Sequence, residues 1–354
     1  MNAKCDVIVL TWNQLNTIKE FVESFLSKTR TPCRLAIIDN GSKDGTKNYL
    51  KDLQGTDIVK IKVILNNENK GFVGGMNQGI EASRAPYVCL ANNDLTFTEG
   101  WMEEVISVFE NNEKIGVLNP NSNSLGLQVP KGKELDEFAN ELKDKNKGQF
   151  IQMPFCIGYC MFIRKEVIEK IGGLSEEFMP IFFEDTDYSL KAQKAGFLIG
   201  VAKGSYVLHQ EHAAFSKKEK KKEQLFRKSK KTFTKKWGKI LRVAWIAKDY
   251  NELLENLDKG LSLAKEGNFV WFFIKDFNKE KKEVFKEHGS IEHAGVNFIS
   301  YNNGLDLFWK IIKKKKRYQP IINIGKFTGF FLKLLGHKVI DNYNYNRVKK
   351  IKFS

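Results

Sequence analysis

Cysteine is scarce and odd in number, five in 354 residues. That excludes a disulfide scaffold and suits a reducing compartment. The spacing Cys156-x-x-x-Cys160 is not that of a zinc knuckle, so these two read as small core residues. No run approaches the ~18 consecutive apolar residues of a membrane-spanning helix. Met1 to Asp6 lack the basic start and apolar core of a secretory signal. A cytoplasmic protein is the expectation, with contact to the inner face of the membrane left open. No Gly-x-Gly-x-x-Gly follows any strand-like run in the C-terminal third, and no repeat relates the two halves. What remains is an ordinary globular composition, 42% hydrophobic and 28% charged, which excludes a disordered chain and suits two domains or more.

The net charge of +16 is unevenly placed. Residues 1–215 carry 24 Lys and Arg against 28 Asp and Glu, net −4. Residues 216–239 carry 12 against 2, and residues 240–354 carry 22 against 12, each net +10. Three segments follow: an acidic domain over 1–215, a basic helical linker over 216–239, and a second domain over 240–354.

Short apolar runs alternate with amphipathic stretches through the first segment. Val7–Leu10, Leu35–Ile38, Ile61–Leu65 and Tyr87–Leu90 read as strands. Residues 16–28, 46–53 and 74–84 read as helices. Residues 121–152 read as a loop with one short helix at 135–142. Residues 155–163 are apolar, a helix follows and then another to about Ala195, and Ser205–Leu208 is a last strand. The alternation predicts an α/β domain built on a mostly parallel sheet covered on both faces. Ligands in such sheets bind beyond the carboxyl ends of the strands. Thr11-Trp12-Asn13, Asp39-Asn40-Gly41-Ser42 and Asn92-Asn93-Asp94 each follow a strand directly.

The second domain repeats the pattern. Strands are predicted at 242–247, 269–274, 296–300, 320–324 and 338–341, with helices at 250–265, 279–288, 304–317 and 326–335. That describes a smaller Rossmann-like α/β unit.

The segments VIVLTWN (7–13), IIDNGSKDGT (37–46), NKGFVGGMNQGI (69–80), LANNDLTF (90–97), GYCMFIRKEVIEKIGGLSEEF (158–178), FFEDTDYSLKAQKAGF (182–197) and VLH (207–209) resemble, in order and spacing, glycosyltransferases of family 2. The similarity is greatest to the branch that includes rhamnosyltransferases. It covers residues 5–215 and does not extend to 240–354. It implies a GT-A type fold and an inverting transfer of a sugar from a nucleotide-diphosphate sugar to an acceptor hydroxyl, in polysaccharide biosynthesis or on a lipid-linked glycan or a glycoprotein.

By that resemblance Thr11, Asn13 and Asp39 lie against the base or ribose, where a carboxylate accepts hydrogen bonds from N–H and hydroxyl groups. Gly71 and Asn77 run beside the nucleotide, although the glycines there also suit close packing at a helix start. Asn93 faces the ribose. Asp94, in an Asn-Asn-Asp form of the family's Asp-x-Asp, holds a divalent cation, Mg²⁺ or Mn²⁺, which offsets diphosphate charge. His209 is either a structural histidine or a further ligand to that metal. Asp185 is the base that takes the acceptor proton, and Glu184 hydrogen-bonds sugar hydroxyls. An acidic helix start is also what the helix dipole favours, and that explains Asp187. Asp44 and Thr46 serve equally well as a turn and helix cap. Trp101, Phe155 and Tyr159 are core aromatics or sugar-stacking residues.

Two readings stay open for 216–239: a solvated helical linker, or attachment to an anionic membrane surface with Phe226, Phe233 and Trp237 as anchors. Nucleic-acid binding has no accompanying motif and is not expected. Residues 240–354 suit homodimerisation or acceptor binding. The competing classes are a non-catalytic nucleotide-sugar or glycan-binding protein, disfavoured by the intact Glu184-Asp185, and a nucleotidyltransferase, disfavoured by the lack of a basic Gly-rich loop at residues 10–13.

Overall fold

The computed structural model describes residues 2–210, 219–275, 277, 293–323, 326–341 and 343–353. The chain divides into two units, residues 1–151 with 155–232, and residues 152–154 with 233–354.

The first unit is built on a nine-stranded sheet. Its strands are β1 (Cys5–Thr11), β2 (Cys33–Asp39), β3 (Val59–Leu65), β4 (Tyr87–Ala91), β5 (Leu95–Phe97), β6 (Ile115–Asn121), β7 (Phe150–Gln152), β8 (Cys160–Arg164) and β9 (Leu198–His209). The order is β3-β2-β1-β4-β8-β6-β9-β5, with β7 beside β9. Pairing is parallel among β3, β2, β1 and β4 and between β6 and β9. Strand β8 runs antiparallel between β4 and β6, as β5 does on β9.

Alternation along each strand sends side chains to two cores. Val7, Val9, Leu35, Ile37 and Cys89 pack on one face, and Ile8, Ile38, Val88 and Leu90 on the other. Helix α1 (Leu15–Lys28) buries Ile18, Phe21, Val22 and Phe25, a 3–4 spacing, against the first face. Helix α2 (Thr46–Lys51) follows β2, and helix α3 (Gly71–Ala82) crosses the second face. The approach of α3 is close: a Cβ on Gly75 would lie 2.3 Å from Leu10 Cδ1, and one on Gly79 2.4 Å from Ile8 Cγ2. Helix α4 (Trp101–Glu110) adds Trp101, whose ring centroid is 4.4 Å from that of Phe97. Helices α5 (Leu135–Asn146), α6 (Lys165–Ile171) and α7 (Glu184–Lys194) complete the cover.

The stretch expected as a loop with one short helix holds more order than its polarity suggests. Helix α5 runs four residues beyond Leu142, and β7 follows it. Strand β6 was not visible in the pattern because Asn119, Pro120 and Asn121 close it. The Asn119 amide is buried and satisfied, donating to the carbonyls of Ile157 and Cys160 and accepting from the Ile157 N–H.

Helix α8 (Glu219–Trp237) is the expected basic helix, and the division between the units falls inside it at Thr232. The second unit has strands β10 (Arg242–Ala247), β11 (Phe269–Lys275), β12 (Val296–Tyr301), β13 (Ile321–Ile322) and β14 (Val339–Ile340), in the order β12-β11-β10-β13-β14. The pairs among these described strands are parallel, a Rossmann-like arrangement. Its described helices are α9 (Tyr250–Lys265), α10 (Gly304–Ile312), α11 (Lys326–Leu334) and α12 (Tyr345–Phe353). The helix expected at 279–288 lies outside the described residues.

Candidate active site

The sheet brings three strand ends together. Thr11 and Asp39 are register partners at the tips of β1 and β2, and both are buried. The Asp39 carboxylate accepts from the Ser42 N–H, at 3.0 Å to Oδ2. Asn13 sits in the left-handed region at φ 52°, where Asn is tolerated better than most residues. Its N–H donates to Ser42 Oγ and its Oδ1 accepts from the Lys43 N–H, so it pins the turn after β2. Asp44 accepts from the N–H groups of Leu15 and Thr46 and from Thr46 Oγ1. That makes Asp44 and Thr46 a helix-capping turn.

A carboxamide network missing from the sequence reading extends this edge. Asn40 Nδ2 donates to Asn69 Oδ1 and to the Gly71 carbonyl, while its Oδ1 accepts from Asn66 Nδ2 and the Lys70 N–H. It carries the turn that starts α3. No local pattern announces it: Asn readily bonds backbone, but Asn40 finds its partners 26–31 positions along the chain. Gly71 has φ +75°, and a Cβ there would lie 2.8 Å from Pro180 Cβ, so only glycine fits. Asn77, expected beside the nucleotide, uses both ends of its amide on the Leu174 backbone.

Asn93 follows β4 and donates to Gln14 Oε1 at 2.9 Å, with Thr11 Oγ1 at 3.5 Å. Asp94 leads into β5, whose Leu95 is the register partner of His209 on β9. The antiparallel pair sets Asp94 Oδ1 3.0 Å from His209 Nε2. His209 Nδ1 lies 2.7 Å from Ser124 Oγ. A hydroxyl can donate or accept, so Nε2 can either donate to Asp94 or act as a ligand. Among the described residues no three His, Cys, Asp or Glu gather to hold a metal. One carboxylate and one imidazole nonetheless fit a cation whose other ligands are phosphate oxygens and water.

The acid pair opens α7. Phe182 and Phe183 both have positive φ, 81° and 69°, which is costly for bulky residues. Neighbouring groups hold that turn. The Pro180 carbonyl accepts from the N–H groups of Phe72 and Val73, and the Ile181 carbonyl accepts from Ser229 Oγ of α8. Phe226 of α8 lies on both rings, with centroids 5.6 Å from Phe182 and 5.3 Å from Phe183. Asp185 Oδ2 accepts from the Gly158 N–H at 2.9 Å, and Oδ1 accepts from the N–H and Oγ1 of Thr186. Burial raises its pKa against these hydrogen bonds. Glu184 is 6% exposed, and its Oε2 has no partner among the described residues. Burial, and then the charge of Asp185, push its carboxyl up to about 8. Asp187 is buried and accepts from Ser175 Oγ, which ties α7 to the preceding loop.

Trp101 and Tyr159 are fully buried, Tyr159 donating to the Pro120 carbonyl. Both are core aromatics.

Residues 6–172 match the model of glycosyl transferase family 2, so the first unit carries a glycosyltransferase domain of that family's kind. Glycosyltransferase AglE of Haloferax volcanii is 22% identical over 55% of this chain and 63% of its own. The glucosyl-dolichyl phosphate glucuronosyltransferase of the same organism is 28% identical over 31% of this chain and 35% of its own. The chain thus spans less than two thirds of these relatives. The solved mannosyltransferase PcManGT from Pyrobaculum calidifontis, in complex with GDP-Man and Mn²⁺, is 16% identical over 62% of this chain and 59% of its own, with a TM-score of 0.47.

Proposed function

We propose that the chain transfers a sugar, with inversion, from a nucleotide-diphosphate sugar to an acceptor hydroxyl, with Asp185 as the base. The observation that carries this reading is the Glu184–Asp185 pair: a buried and a half-buried carboxyl side by side at a helix start, one oxygen of Glu184 unpartnered among the described residues and both groups with raised pKa. A base works best when its pKa is lifted toward the operating pH. The acceptor oxygen gives its proton to Asp185 and bonds to the anomeric carbon. The bond from that carbon to the diphosphate oxygen breaks, and its electron pair leaves with the nucleotide diphosphate. Glu184, protonated at neutral pH, donates a hydrogen bond to a sugar hydroxyl.

Thr11, Asp39 and Asn93 receive the base and ribose. Asn13, Gly71 and Asn77 shape that edge through the turns they hold. Asp94 and His209 hold a divalent cation, which when bound offsets the charge gathering on the diphosphate. A lipid-linked acceptor is favoured by the glucosyl-dolichyl phosphate named in one relative. No described helix is long and apolar enough to cross a membrane, so a lipid-linked acceptor would be met at the membrane surface.

The test is Asp185→Asn. Transfer should fall by several orders of magnitude while binding of the nucleotide sugar stays near that of the parent, measured by calorimetry. Turnover retained within tenfold would remove Asp185 as base.

A further inference from the structure

In the second unit, helices α10 and α11 pack together and leave an apolar surface uncovered among the described residues. Trp309 is 51% exposed and Leu305 73%, one turn apart on α10. Phe330 at 59% and Leu334 at 68% are one turn apart on α11, with Phe331 and Leu335 beside them. Patches of this kind on a soluble unit mark an interaction surface. The charge around it is of one sign. Residues 313–317 read Lys-Lys-Lys-Lys-Arg, and all five are exposed. Lys313 Nζ sits 5.5 Å over the Trp309 ring. Arg317 Nη1 lies 3.1 Å from where a Cβ on Gly336 would be, at the end of α11. The cationic run therefore joins the two apolar stripes. Asp306 is the one acid among residues 304–338, and Lys310 pairs with it at 2.8 Å.

We propose that this face docks on an anionic phospholipid bilayer, with the aromatic and leucine side chains entering the headgroup region and Lys313 to Arg317 lying against lipid phosphates. Apolar residues ringed by lysine are what such an interface takes. A second copy of the chain fits less well, because a two-fold contact would set two cationic runs against each other. Of the aromatic residues of α8 expected as anchors, Phe226 packs on Phe182 and Phe183 and is 41% exposed, Phe233 is buried, and Trp237 is half-buried. The inference is independent of the catalytic reading.

The experiment is co-sedimentation of the full chain with vesicles of phosphatidylcholine, alone or with phosphatidylglycerol added. The parent should bind the anionic vesicles and ignore the neutral ones. Lys314→Gln with Lys315→Gln should lower partitioning roughly thirtyfold, each lysine near such a surface contributing about fivefold. Trp309→Ser with Leu334→Ser, both exposed, should lower it at least tenfold, with circular dichroism and donor binding unchanged. Lys221→Gln with Lys222→Gln on α8 should change it far less. The proposal fails if the parent ignores anionic vesicles. It fails if the α8 pair alone abolishes binding. It also fails if light scattering finds a dimer that Trp309→Ser with Leu334→Ser dissolves while vesicles are ignored.

Discussion

Replacing Glu184 by Gln tests the acid pair most directly. The carboxyl is 6% exposed, with Oε2 unpartnered among the described residues and a pKa pushed from 4.5 to about 8. At pH 7 roughly nine in ten of these carboxyls are protonated, so Gln mimics the prevailing form. A carboxyl whose pKa is raised on folding contributes its full stability below pH 4.5 and loses it as the pH climbs to about 8. Glu184→Gln has no such loss. At ~1.4 kcal/mol per pH interval, the variant should gain about 3 kcal/mol on the parent between pH 6 and pH 9, because the difference stops growing at pH 8. Taking the difference from the parent cancels other titrating groups, including His293, which burial holds down at about 4. Urea unfolding at the two pH values, read by proteolysis of peptides from residues 155–210, reports this unit alone. Transfer at pH 7 should stay within tenfold of the parent, in contrast to Asp185→Asn. A pH-independent stability difference would refute the burial argument. A loss of turnover equal to that of Asp185→Asn would show that Glu184 works as a carboxylate.

Three further outcomes follow from the same geometry. His209→Ala should raise at least tenfold the Mn²⁺ concentration needed for nucleotide-sugar binding, by calorimetric titration; an unchanged titration makes His209 purely structural. Gly71→Ala places a Cβ 2.8 Å from Pro180 at φ +75° and should cost roughly 1–3 kcal/mol in stability by urea denaturation; a neutral effect would mean that this turn is free to move. Phe226→Ala and Ser229→Ala should each lower kcat more than donor KM and shift the pH profile of kcat, with Phe226→Tyr restoring both; equal changes in kcat and KM would mean that α8 does not act on the catalytic turn.

Where backbone pattern alone decides, the sequence was readable. β1, β2 and β4 show as short apolar runs, α1 as a 3–4 spacing, and the second unit as alternating runs from Arg242 onward. Polar residues that form order through tertiary bonds were not readable. β6 ends in Asn119-Pro120-Asn121; it pairs with β8 and β9, and Asn119 adds hydrogen bonds to the carbonyls of Ile157 and Cys160. The site divides in the same way. Thr11, Asp39, Asn93, Asp94 and the acid pair lie at strand or helix ends, which periodicity locates. The hold of Asn40 on Asn69 and Gly71, and of Asn77 on Leu174, joins residues about 30 and 97 positions apart in the chain, which no local pattern encodes.

The basic helix shows why charge was a misleading divider. Its lysines set 216–239 apart in composition, yet the unit boundary falls within the helix at Thr232. Among the contacts that tie it to the first unit are those of Phe226 and Ser229. Two consecutive bulky residues in the left-handed region cost on the order of 1–3 kcal/mol each, and such a turn persists only where its surroundings over-determine it. Here Pro180 is held by the start of α3, Ile181 by Ser229, and both rings by Phe226. The reward of this strain is directional. The turn delivers Glu184 and Asp185 side by side at the start of α7, Glu184 buried and Asp185 half-buried. The described lysines of α8 are exposed, and its Phe226 and Ser229 contact the turn that precedes the acids.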